Sequence, residues 1–249
     1  MFASLPMYDR PELTRAHGAY WALIRTSLEK RGIDAPKQLT PNGLGIAFWT
    51  DPTLVLSQTC GYPYRTSLKD KVTLVGTPDY GVTGCPPGYY RSCFVVRAGD
   101  ARADLAAFGD ARFAFNELGS QSGFVAAQTE AARYGFQLDN RVETGAHRRS
   151  AAAVANGQAD IACLDAVTWR FIQMYDDVAD QLDVLTMTSP TPGLPYICAL
   201  SIDGAAVFSA VNEALSALPV EHKNALMIKR IVPLQPADYP SLDQEAGVG

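Results

Sequence analysis

The chain of 249 residues is short of what several function classes require. Histidine occurs three times, as His17, His147 and His222, too scattered for a metal site. His17 falls in the first long helical pattern and His222 near the last, and both read as surface residues. The five cysteines, Cys60, Cys85, Cys93, Cys163 and Cys198, are odd in number and contain no C-x-x-C pair. Neither a zinc site nor a complete disulfide framework follows from them. Cys163 and Cys198 lie in apolar runs and read as buried small hydrophobes. No apolar run approaches the roughly 20 residues that a bilayer-spanning helix needs. Basic residues are in deficit, 21 Lys and Arg against 26 Asp and Glu, for a net charge of −5. A broad nucleic-acid surface, which needs clustered cations, is excluded; Arg148-Arg149 is the one conspicuous basic pair. There is no G-x-S-x-G elbow, no H-E-x-x-H and no G-x-x-x-x-G-K-[ST]. The start, Met1 to Tyr8, lacks a basic segment followed by an apolar stretch and a small-residue cleavage site. The expected location is periplasmic if a leader was removed and cytoplasmic if the chain as written is complete.

What is present is ordinary globular material, 47% hydrophobic and 19% charged, enough for one large domain or two smaller ones. Only Gln244 to Gly249 read as a frayed tail. Phe2 to Met7 reads as a buried strand, and Pro11 to Arg31 carries helical spacing through Leu13, Tyr20, Trp21, Ile24 and Leu28. A second strand is expected at Lys37 to Thr40. Asp51-Pro52 reads either as a helix start or as the lead into a buried strand ending at Ser57-Gln58. Lys71 to Gly76 reads as a strand, Gly84 to Tyr90 as a connection rich in Gly, Pro and Tyr, and Arg91 to Arg97 as extended.

The next block alternates. Strand Arg112 to Phe115 leads to helix Gln121 to Tyr134, strand Arg141 to Thr144 to helix Arg148 to Asn156, and strand Ile161 to Leu164 to helix Val167 to Leu182. Such alternation predicts parallel strands with right-handed crossovers, an α/β layer. Extended segments Val184 to Met187 and Tyr196 to Ser201 follow, separated by a proline-rich break, and Gly204 to Leu218 is helical. The expected division is a discontinuous first lobe, 1–89 plus 188–249, with a second lobe, 90–187, inserted into it.

In open α/β sheets ligands bind beyond the carboxyl ends of the parallel strands. In the inserted block that rule gathers Asn116 to Gly123, Gly145 to Arg149 and Asp165 to Trp169 on one rim. Ser120-Gln121-Ser122-Gly123 meets the start of a helix, whose unpaired N–H groups form a ready anion site to which hydroxyls add donors. The same serines suit a helix cap. His147 is placed to donate to an anionic oxygen and is expected to titrate near neutrality. Asp165 either accepts from a ligand or caps the following helix. On the first lobe Tyr8 and the turn containing Gln58 and Tyr62 are candidate walls, and equally candidate lobe packing. Tyr90 and Arg91 complete the set; the guanidinium suits a two-pronged grip on a carboxylate or phosphoryl group, or else sits in an exposed connecting strand.

Taken together, Asn116-Glu117, Ser120-Gln121-Ser122-Gly123, Gly145-Ala146-His147, the run Ala153 to Ala162 and Asp165 resemble the phosphate/phosphite/phosphonate-type substrate-binding proteins of ABC transporters. The resemblance covers nearly the whole chain, with Ala3 to Tyr8 matching the usual first strand and turn. It implies a type II periplasmic-binding-protein fold, α/β, with two lobes, two hinge strands and an interlobe cleft. It also implies that Ser120, Gln121 and Ser122 hold phosphonate oxygens, that His147 and Asp165 line the next two turns, and that Tyr8 and Tyr62 contribute from the first lobe. Gln121 interrupts a turn usually richer in Ser and Thr, which admits carboxylate or sulfonate ligands, and Gly84 to Arg91 matches no motif of characterised phosphonate binders, which marks a divergent branch.

The leading expectation is therefore a non-catalytic solute-binding protein, without cofactor or metal, for a small anionic or zwitterionic ligand, with an ABC permease as partner and the monomer as default. Two alternatives stand beside it. One is a leaderless cytoplasmic enzyme of the same fold using His147 as acid or base; the other is a ligand sensor.

Overall fold

The computed structural model describes residues 1–240; the tail expected to fray, Gln244 to Gly249, lies outside them. The chain divides into two compact units: unit 1 is Met1–Gly81 together with the chain from Pro192 onward, and unit 2 is Val82–Thr191.

In unit 1, β1 (Phe2–Ser4) leads through a turn to α1 (Thr14–Glu29), then α2 (Ile46–Trp49), β2 (Leu54–Gln58), α3 (Gly61–Pro63) and β3 (Val72–Asp79). Unit 2 contains β4 (Tyr89–Tyr90), β5 (Ser92–Arg97), β6 (Phe113–Phe115), α4 (Ala126–Arg133), β7 (Arg141–Glu143), α5 (His147–Ala155), β8 (Ile161–Asp165), α6 (Ala166–Tyr175) and β9 (Leu182–Met187). The chain returns through β10 (Thr191–Pro192) and β11 (Tyr196–Ala199) to α7 (Gly204–Ala217), α8 (Val220–Leu226) and β12 (Arg230–Val232).

Unit 1 is a sheet in the order β1-β2-β11-β3-β12. β1 and β2 are parallel, and β11 runs antiparallel between β2 and β3. Every residue of β2 is buried, as expected of a central strand reading as an unbroken apolar run. The Asp51-Pro52 alternative resolves to a strand lead: the Asp51 carboxylate accepts from the Thr53 N–H at 2.8 Å and closes a turn. α1 buries Ala16, Tyr20, Trp21, Ile24 and Leu28, one stripe at helical spacing, and packs on α7. There the Ser27 hydroxyl donates to Glu213 at 2.7 Å.

The sheet of unit 2 has the order β7-β6-β8-β5-β9. β6 is parallel to both β7 and β8, while β5 is antiparallel to β8 and to β9. The parallel pairing expected of the three strands that alternate with helices is present, and the two extended segments that enter and leave the unit, for which no direction was expected, run antiparallel. Both faces are covered, and the strand period sorts the side chains between two cores. Cys93, Val95, Ala162 and Leu164 face a core with Ala151, Val154 and Ile172; Phe94, Val96, Ile161 and Cys163 face another with Phe108, Phe113 and Ala131. Phe94, Phe108 and Phe113 are fully enclosed, each stabilising by about 2–3 kcal/mol relative to exposure.

One ionic hub fixes this sheet at the end away from the carboxyl termini of its parallel strands. Asp160 accepts from the Arg112 backbone N–H at 3.0 Å, from Arg112 Nε at 3.0 Å and Nη2 at 2.9 Å, and from Arg97 Nη2 at 3.2 Å. The Arg112 side-chain hydrogen bonds hold its carboxyl well below the usual carboxylate range.

Four expectations need correction. β1 stops at Ser4, and Pro6, with no N–H to donate, cannot continue the ladder. Lys37 to Thr40 is not a strand; flanked by Pro36 and Pro41, it contributes one ladder-like bond, Thr40 N–H to the Ala3 carbonyl at 2.7 Å. The helix expected from Val167 to Leu182 ends at Tyr175, where Asp176, Asp177 and Asp180 oppose the negative helix terminus, and a separate 3-10 turn spans Asp177–Gln181. His17 is not a surface residue: both its ring nitrogens are enclosed, with no hydrogen-bond partner among the described residues.

Candidate functional site

The rim of unit 2 is assembled by the turns that leave β6, β7 and β8. Backbone bonds tie the first two together, Thr144 N–H to Phe115 and Gly145 N–H to Asn116, both at 2.8 Å. The Ser120 hydroxyl accepts from the Gly123 N–H at 3.0 Å, and its carbonyl accepts from the N–H groups of Phe124 and Val125 at 3.3 and 3.0 Å. Gln121–Val125 is consequently a wide π turn running into α4. The start expected at Gln121 is thus present, in a looser winding, and Ser120 fills the cap role.

Ser122 and His147 meet across these turns, with Oγ and Nε2 2.9 Å apart. Gly123 sits against both: a Cβ there would lie 1.9 Å from Asn116 Oδ1 and 3.0 Å from His147 Cε1. Only a residue without a side chain permits that approach. Asn116 Oδ1 and His147 Nδ1 are enclosed and have no hydrogen-bond partner among the described residues. Ser120, Gln121 and Ser122 are all buried. Two polar atoms are thus buried at this rim without a geometrically closed hydrogen bond among the described residues.

Burial, opposed by the Cys163 carbonyl, pushes the His147 imidazole down to about 4. The ring is neutral at physiological pH, which corrects the expectation of titration near neutrality: the enclosed charged form would lose its hydration. Neutral imidazole still offers one N–H donor and one lone pair.

Asp165, at the end of β8, accepts from the Val167 and Thr168 N–H groups at 2.7 and 2.9 Å and caps α6. Its partner in the antiparallel ladder is Ser92, so the start of β5 lies on the same rim. The Arg91 carbonyl accepts from the Ala166 N–H at 3.1 Å, which brings Tyr90 and Arg91 beside Asp165. Tyr90 is buried; Arg91 is half-buried, with its guanidinium against Gly84 and its Nε enclosed with no hydrogen-bond partner among the described residues.

In unit 1, Tyr8 and Gln58 converge on a residue that sequence reasoning missed. Tyr8 packs edge-on to Tyr80 with centroids 4.9 Å apart, and Gln58 Nε2 donates to the Tyr80 hydroxyl at 3.3 Å and to the Leu194 carbonyl at 3.1 Å. Tyr80 directly follows β3 and obeys the same strand-end rule. It escaped notice because the strand was cut at Gly76, before Pro78, whereas β3 runs to Asp79. Tyr62 stands apart in α3, half-buried beneath the Arg65 guanidinium, 5.9 Å from its ring centroid.

Two α/β units, one inserted in the other, with polar turns at strand ends define the class of periplasmic-type binding proteins. The chain matches the family described as ABC transporter, phosphonate, periplasmic substrate-binding protein over residues 59–241, and it belongs to that family. PhnD1 from Prochlorococcus marinus, solved in complex with methylphosphonate, superposes with a TM-score of 0.75 at 13% identity, covering 98% of this chain and 96% of that one. A binding protein component of an ABC phosphonate transporter from Pseudomonas aeruginosa gives 0.70 at 13% identity, covering 96% and 82%. XAC2383 from Xanthomonas citri, bound to chloride, gives 0.69 at 14%, covering 98% and 95%. No curated protein matches in sequence. The family is one of substrate-binding proteins rather than enzymes, so the catalytic alternative for His147 is set aside. Its members work with a small anionic solute and a transporter.

Proposed function

We propose that this chain captures a phosphonate- or phosphate-like solute for ABC-type uptake, holding its oxygens at the Ser120–Gly123 turn. The observation that carries the reading is the Ser122–His147 contact at 2.9 Å beside Gly123, with Asn116 Oδ1 and His147 Nδ1 enclosed and closing no hydrogen bond among the described residues. The Ser122 hydroxyl and the neutral imidazole share one hydrogen bond, which leaves one of the two as a donor to an anionic oxygen beside the N–H groups of the helix start. Asn116 Oδ1 suits a donor instead, such as a protonated phosphonate oxygen or a ligand ammonium. Gln121 adds an amide to the turn, and Asp165 gives the rim a carboxylate for a ligand cation, which extends the reading to zwitterions. Tyr90 and Arg91, and Tyr8, Gln58 and Tyr62 of unit 1, are proposed as further contacts, and the working form as a monomer.

A thermal-shift series tests this with methylphosphonate, phosphate, methanesulfonate and acetate, each at millimolar concentration. Ligand at about 100 times its Kd stabilises by roughly 2.7 kcal/mol, a shift of several degrees for a chain of this size. The shift should be largest for the phosphorus oxyanions and lost in Ser122→Ala and His147→Ala. No shift with any of the four overturns the reading; a larger response to acetate or methanesulfonate moves the ligand to that class.

A further inference from the structure

Three half-buried arginines of unit 2, Arg97, Arg102 and Arg112, each close an ion pair, at 3.2, 2.6 and 2.9 Å. Arg91 is half-buried like them, yet it closes neither an ion pair nor a side-chain hydrogen bond among the described residues. A guanidinium held partly out of water without a counter-charge is costly, and an anion would remove that cost.

The edge of this guanidinium is open. A Cβ built on Gly84 would stand 3.1 Å from Arg91 Nη2 and 3.2 Å from both Cζ and Nη1, so the flat face of the group, not its edge, rests on that glycine. Nε is the enclosed donor. The two Nη groups remain for the paired oxygens of an anion, which guanidinium binds in its own plane.

Arg91 also stands on the rim and the face of the Ser122–His147 contact. Alternation along β5 puts it on the side of Cys93 and Val95, where Ala151 and Val154 of α5 cover the sheet, and α5 starts at His147. The Arg91 carbonyl accepts from the Ala166 N–H just past the end of β8, and β8 lies between β5 and β6. Two strand spacings, about 10 Å, thus separate the Arg91 backbone from the end of β6, whose turn carries Ser122, and the arginine side chain can cover part of that span. Asp165, on the strand between them, uses Oδ1 to cap α6 and closes no ion pair with Arg91.

We propose that the solute is a phosphonocarboxylate, its phosphonate held at the Ser120–Gly123 turn and its carboxylate gripped by Arg91. This rests on the phosphonate reading above and narrows it. A carboxylate is planar and offers two oxygens at the spacing of the guanidinium edge. An ammonium on the same side of the rim would face a like charge.

Isothermal titration calorimetry of the full chain with methylphosphonate, phosphonoacetate, phosphonopropionate and aminoethylphosphonate tests the proposal. The expected result is that one of the two phosphonocarboxylates binds at least tenfold tighter than methylphosphonate and than aminoethylphosphonate. Arg91→Gln should lower that preference at least fivefold, and so should Arg91→Lys, which keeps the charge but loses the two-pronged edge. Arg149→Gln removes an exposed arginine of the same rim, whose guanidinium lies against Gly145, and should leave the preference within twofold. The proposal is overturned, with the phosphonate reading intact, if methylphosphonate binds and neither phosphonocarboxylate exceeds it, or if aminoethylphosphonate binds tightest. It is equally overturned if both Arg91 variants keep the preference, or if Arg149→Gln lowers it as much as they do. If none of the four binds, the phosphonate reading itself fails and takes the proposal with it.

Discussion

Mild acid should weaken unit 2 through one ring. His147 titrates at about 4 in the folded chain, against 6.5 for an unburied imidazole, because burial disfavours the cation. Between those values the unfolded chain takes up a proton that the folded chain resists. The stability attributable to a neutral His147 is therefore full above pH 6.5, falls as pH drops through that window, and levels off near pH 4. At about 1.4 kcal/mol per pH unit the full drop amounts to about 3 kcal/mol, an upper figure. Urea denaturation of the wild type and of His147→Gln, at pH values from 7.5 down to 4, isolates the effect by difference. That subtraction matters because His17 is also depressed and loses stability in the same direction. The glutamine amide can keep a hydrogen bond to Ser122 and cannot titrate, so the stability of the variant relative to wild type should rise by up to about 3 kcal/mol across the window. Direct NMR titration of the ring should place its midpoint near 4. A midpoint at 6 or above, or a wild-type-minus-variant difference that stays flat with pH, would refute the burial argument.

Other outcomes follow from the same geometry. Gly123→Ala forces a Cβ to 1.9 Å from Asn116 Oδ1, so it should cost about 1–3 kcal/mol by overpacking and abolish the methylphosphonate thermal shift; a full shift in this variant would mean that the turn is not the ligand contact. Asp165→Ala removes both cap acceptors of α6 and should lower stability in urea by about 1–2 kcal/mol, with Asp165→Asn recovering most of it; equal losses in both would argue against capping as the cause. Asp160→Asn should leave stability less dependent on pH in strong acid. The folded carboxyl is depressed below 3.8, so its contribution is present above that value and is lost as pH falls below it, a dependence that acid titration monitored by circular dichroism would follow.

Much of this was legible in the residues because unit 2 alternates strand and helix, and alternation constrains which turns share a rim. Ser120, Ser122, His147 and Asp165 were placed together on that basis alone, and the backbone bonds between the β6 and β7 turns bring Ser122 to His147. The antiparallel entry of β5 was not legible, since pairing direction leaves no period in a single strand; it is what puts Arg91 beside Asp165. The neutrality of His147 was not legible either, because enclosure is a tertiary property. Tyr80 was missed through Pro78, which reads as a breaker although it pairs opposite Ile231 in the ladder with β12. His17 was misjudged from its polarity, although it stands at i+4 from Leu13 and i−3 from Tyr20, within the apolar stripe of α1.

The position of β11 has a consequence for how the chain is made. β2 and β3 are near in sequence, yet β11 separates them in the sheet, so their places cannot be filled until residues 196–199 have been synthesised. Unit 2, which is continuous from Val82 to Thr191, is complete before that point. The inserted unit is thus expected to fold first during synthesis, while the earlier-made strands wait with unpaired edges that invite chaperone binding. A fragment spanning 82–191 should give a cooperative melt, whereas a chain ending at 191 should gain no second transition; a second transition in that longer fragment would show that unit 1 closes without β11.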